Sequence, residues 1–531
     1  MSIRLVTSHA LAAGLAPGEV WVAPVGPDPS MPPERRLEVG AELEAAFAAI
    51  IPELLDLCRR LGEDDSASLA HTPSAAVNVS DLGVMMAWTR LLEGWAATDS
   101  RRVVVVCDDR RLFRHWARIA GLAAGSEPPD PGLWPVLRGF AARLRYGLRA
   151  AHAALTTKAA ATPGGAWLLS YYHPGSDAQG GDAYFGPLMT ERRDLRRIVH
   201  VDCPPTQAET LRGDGRTLSL HGFGSAWFAL TRLAFARWRP RTEMLGGRWG
   251  GLVGRAAAIE AATAQGAAIA WQIHCQRRWL DRIRPQAVAW PWENHGWERD
   301  LARAARSLAI ATVGYQHATV GRYELNYHMA ANRDGFESVP DQVLCAGGLT
   351  RAALTRWGLP EGRSRIGGAL RYPDRRGPRY DPAAPVFVAL PGDRALALQL
   401  VAAAQALARQ TGRRVLVRPH PIYDVAVAET ERVSRAAAGL DGQTAVSAVV
   451  YAATTVGLEA ILYGLPTIRF IARGCIAPDI LPNTLEIAAA DAAGLAEMVG
   501  QAPPPPVVVR AEMFAPVDPA VWRQALPPLQ G

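Results

Sequence analysis

Lysine is nearly absent from the chain. Lys158 is the only one, although Lys and Arg together number 57. Arginine therefore carries the basic charge, and the net charge of +7 is small for 531 residues. The excess of arginine over lysine, together with the many alanines and glycines, indicates a GC-rich coding bias. The sequence contains no recognisable nucleic-acid-binding module with basic residues interleaved with aromatic ones. We expect no nucleic-acid partner. The charge suits an anionic substrate or an anionic membrane surface equally well.

Paired cysteines and long apolar runs are also lacking. The six cysteines are dispersed without a CxxC spacing, which argues against a zinc site and a disulfide framework. No apolar run reaches the ~20 residues that cross a bilayer. The N-terminal stretch 3–18 is too broken to predict a signal peptide. We expect a cytoplasmic protein that carries no metal or other cofactor.

Short apolar runs bounded by turn residues are what the chain does contain. Helix-length stretches follow most of them, which predicts parallel sheets with crossover helices. The runs lie at 103–107, 166–172, 198–202, 287–292, 308–315, 342–347, 386–390, 414–419, 445–451 and 466–470. We therefore predict an α/β fold with two Rossmann-like domains behind an N-terminal α/β accessory region. The predicted boundaries are 1–130, 131–335, 336–510 and a C-terminal segment 511–531 that packs back on the first domain.

The stretch "LVRPHPIYD" (416–424) ends one of these runs. Pro419 and Pro421 cannot continue a central strand, so the chain leaves the sheet there. Ligands of open α/β sheets bind just beyond the carboxyl ends of strands, which places His420 where a ligand would lie. Arg418 can direct two donors to a phosphate. The alternative is a loop histidine with a structural hydrogen bond.

A second motif, "YAATTVGLEAILYGLPTIRF", spans 451–470. Thr454 or Thr455 is expected at the N-cap of the following helix, where exposed backbone N–H groups attract an anion. Glu459 lies about one turn inside that helix, where its carboxylate can accept hydrogen bonds from a ribose or a base. Simple capping by the threonines and a solvated Glu459 are the alternatives.

Together these two motifs resemble nucleotide-sugar glycosyltransferases of the GT-B architecture. The likeness is strongest to bacterial surface-polysaccharide enzymes, the capsule Kdo transferases and sialyltransferase-like enzymes that use CMP-activated sugars. The resemblance implies that His420, of the HP pair with Pro421, contacts the donor phosphate together with Thr454 and Thr455. CDP-glycerol transferases share a similar layout, so the nucleotide stays open.

Two further segments agree with this family. Residues 340–372 resemble the opening of a donor domain, in which Gly347 and Gly368 let the backbone approach a nucleotide. Residues 313–324 resemble the family's strand followed by "QH", which implies that Gln316 and His317 face the donor across a cleft.

The acceptor side is expected between residues 165 and 300. Glu293 follows the run at 287–292, beside Trp292, and is our first choice for the general base, with a pKa raised by burial. His317 is the second choice. The Gly-rich loop after 166–172 brings Ser170, Tyr184 and Gly186 toward an acceptor or a sugar, unless it is an ordinary loop. The tryptophans that crowd 227–297 are either helix core or an aromatic acceptor surface.

The resemblance implies transfer of an acidic sugar, Kdo- or sialic-acid-like, onto a glycan of the cell surface such as lipopolysaccharide or capsule. No DxD sits at a strand end within the region of resemblance, so metal-independent transfer is expected. The acceptor is a glycan, a lipid-linked glycan or a protein, with peripheral contact at the inner membrane face. Alternatives are a glycerophosphotransferase or epimerase of the same fold, and a non-catalytic glycan-assembly protein. Inverting and retaining stereochemistry both stay open.

Overall fold

A computed structural model describes residues 3–26, 31–98, 101–157, 159, 163–372, 376–421, 423–477, 479, 481–482 and 484–528. Lys158 lies outside these residues. Three large parallel sheets follow one another along the chain, each with helices on its faces, and a separate two-stranded parallel sheet pairs Arg379–Tyr380 with Ala445–Val446. The α/β class and the two Rossmann-like domains behind an N-terminal α/β region are confirmed.

The N-terminal unit contains a four-stranded sheet in the order β2-β3-β1-β4. Val103 to Val106 are all buried because helices cover both faces of the sheet. Asp109 begins the last of three helices by accepting hydrogen bonds from the N–H groups of Arg111 and Leu112. The elements are β1 (Ile3–Val6), β2 (Glu19–Val22), α1 (Gly40–Leu61), α2 (Leu82–Thr98), β3 (Arg102–Val106), α3 (Arg110–Ile119) and β4 (Ala123–Ala124).

The central unit contains a seven-stranded sheet in the order β11-β10-β9-β8-β5-β6-β7. All its paired strands run parallel, as continuous apolar runs predict. Its elements are α4 (Trp134–Thr156), β5 (Ala166–Ser170), α5 (Leu188–Glu191), β6 (Arg196–Val199), α6 (Pro205–Leu211), β7 (Thr217–Ser219), α7 (Ala226–Arg232), α8 (Gly250–Ala261), α9 (Gln265–Ile283), β8 (Ala287–Pro291), α10 (Gly296–Ser307), β9 (Ala311–Gln316), β10 (Gln342–Cys345), α11 (Gly348–Arg356) and β11 (Ser364–Ile366).

The C-terminal unit contains a six-stranded sheet in the order β15-β14-β13-β17-β18-β19. Asp393 caps its longest helix, which ends at Gly412 with a φ of 70°. The elements are β12 (Arg379–Tyr380), β13 (Val386–Ala389), α12 (Arg394–Thr411), β14 (Val415–Arg418), β15 (Val433–Arg435), β16 (Ala445–Val446), β17 (Ala448–Tyr451), α13 (Val456–Leu462), β18 (Thr467–Phe470), β19 (Ala488–Ala490), α14 (Leu495–Gln501), α15 (Arg510–Met513) and α16 (Pro519–Ala525).

The boundary predicted between residues 335 and 336 is corrected by strand pairing. β10 pairs with β9, and β11 pairs with β10, so the central sheet continues to Ile366. Residues 340–366 therefore complete the central unit and do not open the C-terminal one. The C-terminal segment returns to this unit, where Trp522 packs against Phe185 and Tyr315.

The tryptophans of 227–297 are mainly core residues. Seven of them are buried, namely Trp238, Trp249, Trp271, Trp279, Trp290, Trp292 and Trp297. Only Trp227 of this group is exposed. The prediction that they are core residues therefore holds for all but one of them, but the core is not that of helices alone, since Trp290 lies on β8.

The N-terminal unit also contacts the C-terminal unit. Arg469 of β18 forms a two-pronged ion pair with Glu44 of α1, with both N···O distances at 2.7 Å. Burial favours the neutral guanidinium, but the hydrogen bond and charge of Glu44 outweigh it and raise the pKa of Arg469. Across the described residues, none of the helices has both the length and the hydropathy to cross a membrane.

Candidate active site

The largest cavity that we describe, about 810 Å³, lies where all three units meet. Glu293 and His295 reach it from the carboxyl end of β8. Gly392, Tyr423 and Ala453 follow β13, β14 and β17 of the C-terminal sheet and line the opposite wall. The two sheets thus point their carboxyl ends at one cleft, the place where open α/β sheets bind ligands. This facing arrangement is that of GT-B enzymes.

The N-terminal unit supplies a third wall of this cleft. Residues 77–81 and Met85 at the start of α2 line it, together with Ile259 and Glu260 of α8. Glu260 is held in place by Thr72, whose N–H and hydroxyl both donate to Oε1. The predicted accessory region is therefore part of the site.

Glu298 fixes the turn that presents Glu293. Its Oε2 accepts the N–H groups of Glu293 and Asn294, each at 2.8 Å, and its Oε1 accepts the Tyr171 hydroxyl. Asn294 has a φ of 57°, a left-handed conformation that asparagine tolerates. Burial raises the pKa of Glu298 to about 7. These contacts make the turn between β8 and α10 rigid.

Glu293 forms an ion pair with His295, with 3.1 Å between Oε2 and Nε2. Burial disfavours the charged carboxylate, but His295, His317 and Arg371 outweigh it and hold the pKa of Glu293 below its ordinary value. Burial likewise opposes the charged His295, yet the Glu293 contact raises its pKa. The raised pKa that we predicted for Glu293 is therefore wrong. Its side chain is 35% exposed and open to a substrate.

His317, Tyr184 and Arg371 extend the site away from Glu293. The His317 and Tyr184 rings meet edge to face at 5.2 Å, and the Arg371 guanidinium lies 5.2 Å from the centre of the Tyr184 ring. Burial and the charge of Arg371 lower the pKa of His317 to about 4. His317 is therefore neutral near pH 7, and its Nδ1 has no hydrogen-bond partner among the described residues. This suits it to bind a sugar hydroxyl better than to act as a base.

A second cavity of about 240 Å³ adjoins Arg371. Thr455 and Glu459 line it from the turn and helix after β17, and Arg510 and Phe514 from the C-terminal segment. Tyr372 stacks on Phe514 with ring centres 4.3 Å apart. Asp441 lines it as well. Two guanidinium groups, an aromatic wall, a hydroxyl and two carboxyl groups are the kinds of group that bind phosphate, base and ribose.

The predicted threonine pair stands between the two cavities. Thr455 occupies the N-cap position of α13, as predicted, but its side chain makes no capping hydrogen bond. Ala453, with a φ of 46°, lines the large cleft, whereas Thr455 lines the smaller cavity. Thr454 lies in the turn between them. Since α13 has only seven residues, the arginines are the stronger reason to place an anion here.

The His420 motif ends its strand as predicted, but Arg418 does not serve it. The Arg418 Nη1 donates to the carbonyl oxygens of Ala436 and Ala437 beyond β15, so the predicted phosphate fork is wrong. The His420 ring stacks on Tyr423 at 5.7 Å, and burial lowers its pKa. Pro421 is exposed. β13 lies between β14 and β17, which separates the ends of the two motifs by about 10 Å. Tyr423 of the first motif lines the large cleft and Thr455 of the second lines the smaller cavity, so His420 and the threonines form no common phosphate cradle.

The two glycines predicted to approach a nucleotide approach the C-terminal segment instead. A Cβ at Gly347 would collide with the backbone of Glu512 and Met513. A Cβ at Gly368, whose φ is +87°, would collide with Pro516 and Val517. Both positions need glycine because two backbones pass close to each other, which corrects the predicted donor contact.

Three of the four predicted acceptor residues have structural roles. The Ser170 hydroxyl donates to Asp182 inside the Gly-rich loop, and Ser170 is buried. A Cβ at Gly186 would meet the carbonyl oxygen of Leu370. Trp292 is fully buried against Tyr327. Tyr184 alone joins the site. Gln316 is buried at the end of β9, and its Oε1 has no partner among the described residues.

Four residues of the site were not singled out from the sequence: Glu324, Arg371, Arg510 and Phe514. Glu324 follows the "QH" segment and lines the large cleft. Burial, with a contribution from the charge of Glu293, raises its pKa to about 8. The available signal was an isolated carboxyl residue, the only one between Asp300 and Asp334. Near pH 7, Glu293 is ionised and Glu324 is protonated, the separation that acid–base pairs show.

Replacing Glu324 with Gln is expected to change how stability depends on pH. The pKa of Glu324 is higher in the folded chain than in the unfolded one, so the folded state binds more protons between about pH 4.5 and 8. Wild-type stability therefore falls as pH rises through this window, by roughly 5 kcal/mol from this group. Denaturant unfolding at several pH values should show the Gln variant gaining stability relative to wild type as pH rises. The exposed Glu361→Gln variant is the control, and equal pH profiles for all three proteins would contradict the burial of Glu324.

No protein family and no curated protein sequence matches this chain. Solved structures match at low identity: the glycosyltransferase of kitacinnamycin (12%, covering 69% of this chain and 94% of that one, TM-score 0.38), the calicheamicin glycosyltransferase CalG4 (13%, 68% and 92%, 0.37) and the UDP-GlcNAc 2-epimerase of Methanocaldococcus jannaschii (11%, 63% and 92%, 0.36). TM-scores this low do not establish a fold, so the fold assignment rests on the strand order and pairing of the sheets.

Proposed function

We propose that the protein is a nucleotide-sugar-dependent glycosyltransferase. The observation that carries the proposal is the position of Arg371. It lines the smaller cavity, lies over the Tyr184 ring, and is close enough to Glu293 and His317 to lower the pKa of both. A nucleotide in the smaller cavity therefore directs its sugar toward Glu293, and the large cleft is left for an acceptor.

Each group then has a role in transfer. Arg371 and Arg510 stabilise the phosphate that leaves, with the Thr455 hydroxyl beside them. Glu459 takes the ribose, and Tyr372 and Phe514 form the wall for the base. Glu293, ionised and open to the cleft, takes the proton of the acceptor hydroxyl. The protonated carboxyl group of Glu324 donates a hydrogen bond to a sugar oxygen. Tyr423, with the His420 ring stacked on it, contacts the substrate from the opposite wall of the cleft.

The chemistry of the large cleft defines the acceptor. Among the described residues that line it, five are acidic and none is arginine or lysine: Asp81, Glu260, Glu293, Glu324 and Asp393. Asp81 is neutralised by Arg255 at 2.8 Å. Carboxylates accept hydrogen bonds from hydroxyl or ammonium groups and repel phosphates. The acceptor that fits is a neutral or amino-bearing glycan, and this two-substrate geometry favours a transferase over an epimerase.

Thermal stabilisation by different nucleotides tests the proposal directly. We propose CMP as the nucleotide, with an acidic Kdo- or sialic-acid-like sugar whose carboxylate pairs with an arginine of the smaller cavity. CMP at a hundredfold excess over its Kd is expected to stabilise the fold by about 2.7 kcal/mol, seen as a rise in Tm. UDP, GDP and CDP-glycerol are the comparison. A larger rise in Tm with UDP would make the donor a UDP-sugar. No rise in Tm with any nucleotide would favour the non-catalytic alternative.

Transfer is also proposed to proceed without a metal ion. Two arginines at the leaving phosphate can supply the positive charge that a divalent cation gives elsewhere. The rate in EDTA is therefore expected to match the rate in added Mg²⁺ or Mn²⁺ within about twofold. Loss of transfer in EDTA with recovery on adding Mg²⁺ would overturn this part of the proposal and leave the donor assignment intact.

A further inference from the structure

Helix α4 carries its large apolar residues on the outside. Its buried face consists mainly of small residues, among them Gly139, Gly147 and Ala150. Leu137, Leu144, Leu148 and Leu155 are all exposed, and the spacings of seven, four and seven residues place them along one helical stripe. A surface helix of a globular protein normally has the reverse distribution.

The neighbouring helix α7 continues this apolar surface. α4 packs against α7, and the Phe140 and Phe235 rings lie 5.7 Å apart. Trp134 at the start of α4 is 69% exposed, and Trp227 of α7 is 77% exposed. Leu230 is exposed beside them. Exposed apolar patches of this extent mark sites of interaction with a protein or a membrane.

The charged side chains carried by α4 and α7 are of one sign. Arg138, Arg145 and Arg149 of α4 and Arg232 of α7 are exposed. Neither 134–157 nor 226–242 contains a single Asp or Glu. An isologous dimer through this face would bring arginines against arginines, which is unfavourable. An anionic surface complements them.

We propose that the surface formed by α4 and α7 docks the protein onto an anionic lipid bilayer. The tryptophan, phenylalanine and leucine side chains enter the interface between headgroups and acyl chains, and the arginines pair with lipid phosphates. An exposed aromatic and leucine face with arginines at its border is the composition of membrane-surface helices.

Docking by this surface leaves roughly 10 Å, the diameter of one helix, between the membrane and the end of α8. Gly139 and Arg143 on the buried face of α4 contact Ala261, at the end of α8. The preceding residues of α8, Ile259 and Glu260, line the cleft. A glycan carried on a lipid can therefore reach the cleft from the bilayer. Binding to the membrane does not depend on the proposed transfer reaction, and the two fail separately.

Flotation with vesicles tests the proposal, with no donor or acceptor present. Wild type is expected to bind phosphatidylcholine vesicles that contain phosphatidylglycerol, and to bind pure phosphatidylcholine far less. Changing Arg138, Arg145 and Arg149 together to Ala should lower the partition coefficient roughly a hundredfold. Changing Trp134, Leu148 and Trp227 to Ser should lower it by at least tenfold.

The matched control removes the same charge from positions outside α4 and α7. Arg193, Arg409 and Arg414 are exposed and lie outside α4 and α7, so their triple change to Ala should reduce binding by about twofold at most. Equal losses in both arginine triples would overturn the proposal, as would unchanged binding of the Ser variant. A stable dimer in lipid-free solution that the Ser variant dissociates, with vesicle binding retained, would assign the face to a second copy instead.

Discussion

Glu293→Gln is expected to lower kcat/KM for sugar transfer roughly 10²- to 10⁴-fold, the contribution of a positioned base. The amide keeps the size of the side chain and an acceptor oxygen, but it cannot take a proton. The Glu293 carboxylate forms its ion pair with His295 at the surface of the cleft, while Glu298 fixes the backbone of the turn independently. The fold should therefore survive, and thermal unfolding of the variant should stay close to wild type.

The pH profile of the wild-type enzyme distinguishes this role from mere positioning. His295 has a raised pKa, so it stays protonated beside Glu293 somewhat above its ordinary value of 6.5. As pH rises through that pKa, His295 loses its charge and Glu293 becomes the stronger base. We expect kcat/KM to increase in this range and to decline again near pH 8, where Glu324 loses its proton. His295→Gln should abolish the increase, and Glu324→Gln should abolish the decline.

Glu260→Gln is the matched control for the base. Glu260 lines the same cleft, and an amide oxygen can still accept from Thr72. Its rate is expected within about threefold of wild type, because the N–H and hydroxyl of Thr72 already occupy Oε1 of Glu260. Near-normal transfer by the Glu293→Gln variant, together with an inactive Glu324→Gln variant, would make Glu324 the base. Losses of equal size in Glu260→Gln and Glu293→Gln would mean that the charge of the cleft, and no single base, decides the rate.

The sheets were predictable from the sequence because buried parallel strands read as isolated apolar runs. β13 at Val386–Ala389 and β18 at Thr467–Phe470 lie within the predicted runs. Short strands such as β7 at Thr217–Ser219 were missed because three residues carry no apolar run. The boundary after residue 335 was misplaced because sequence shows strands but not their partners. β10 has the same local pattern whether it completes one sheet or begins another.

The strand ends also indicated which carboxylate would face a cleft, and Glu293 does face one. Side-chain direction was beyond the sequence. Arg418 occupies the predicted end of β14, yet its guanidinium turns to the carbonyl oxygens beyond β15. Arg510 and Phe514 reach the smaller cavity only because the C-terminal segment crosses back over Gly347 and Gly368. Contacts between residues so far apart in the chain leave no local sequence pattern. The two glycines were the one trace of this crossing, and we assigned them to the donor instead.

Arg371→Ala is expected to damage both binding and turnover, because Arg371 belongs to both halves of the site. Loss of a charge-assisted contact to phosphate should weaken nucleotide binding about 10- to 100-fold. Its positive charge also helps to keep the pKa of Glu293 low and His317 neutral. Without it, the pKa of both groups rises, so the acid side of the kcat profile should shift to higher pH. Nucleotide titration by calorimetry and a pH series of kcat measure the two effects.

Arg510→Ala separates these effects. Arg510 lines the same cavity and donates a hydrogen bond to the Tyr372 carbonyl oxygen at 3.0 Å. Its charge is not among those that shift the pKa of Glu293 or His317. It should therefore weaken the nucleotide to a similar degree and leave the pH dependence of kcat as in wild type. Arg371→Lys should restore the pH profile but only part of the affinity, since an ammonium group keeps the charge and loses the two-pronged geometry. If both Ala variants bind the nucleotide as wild type does, the smaller cavity is not the donor site. If binding is weaker but the pH profiles are identical, Arg371 is a phosphate ligand with no influence on the base.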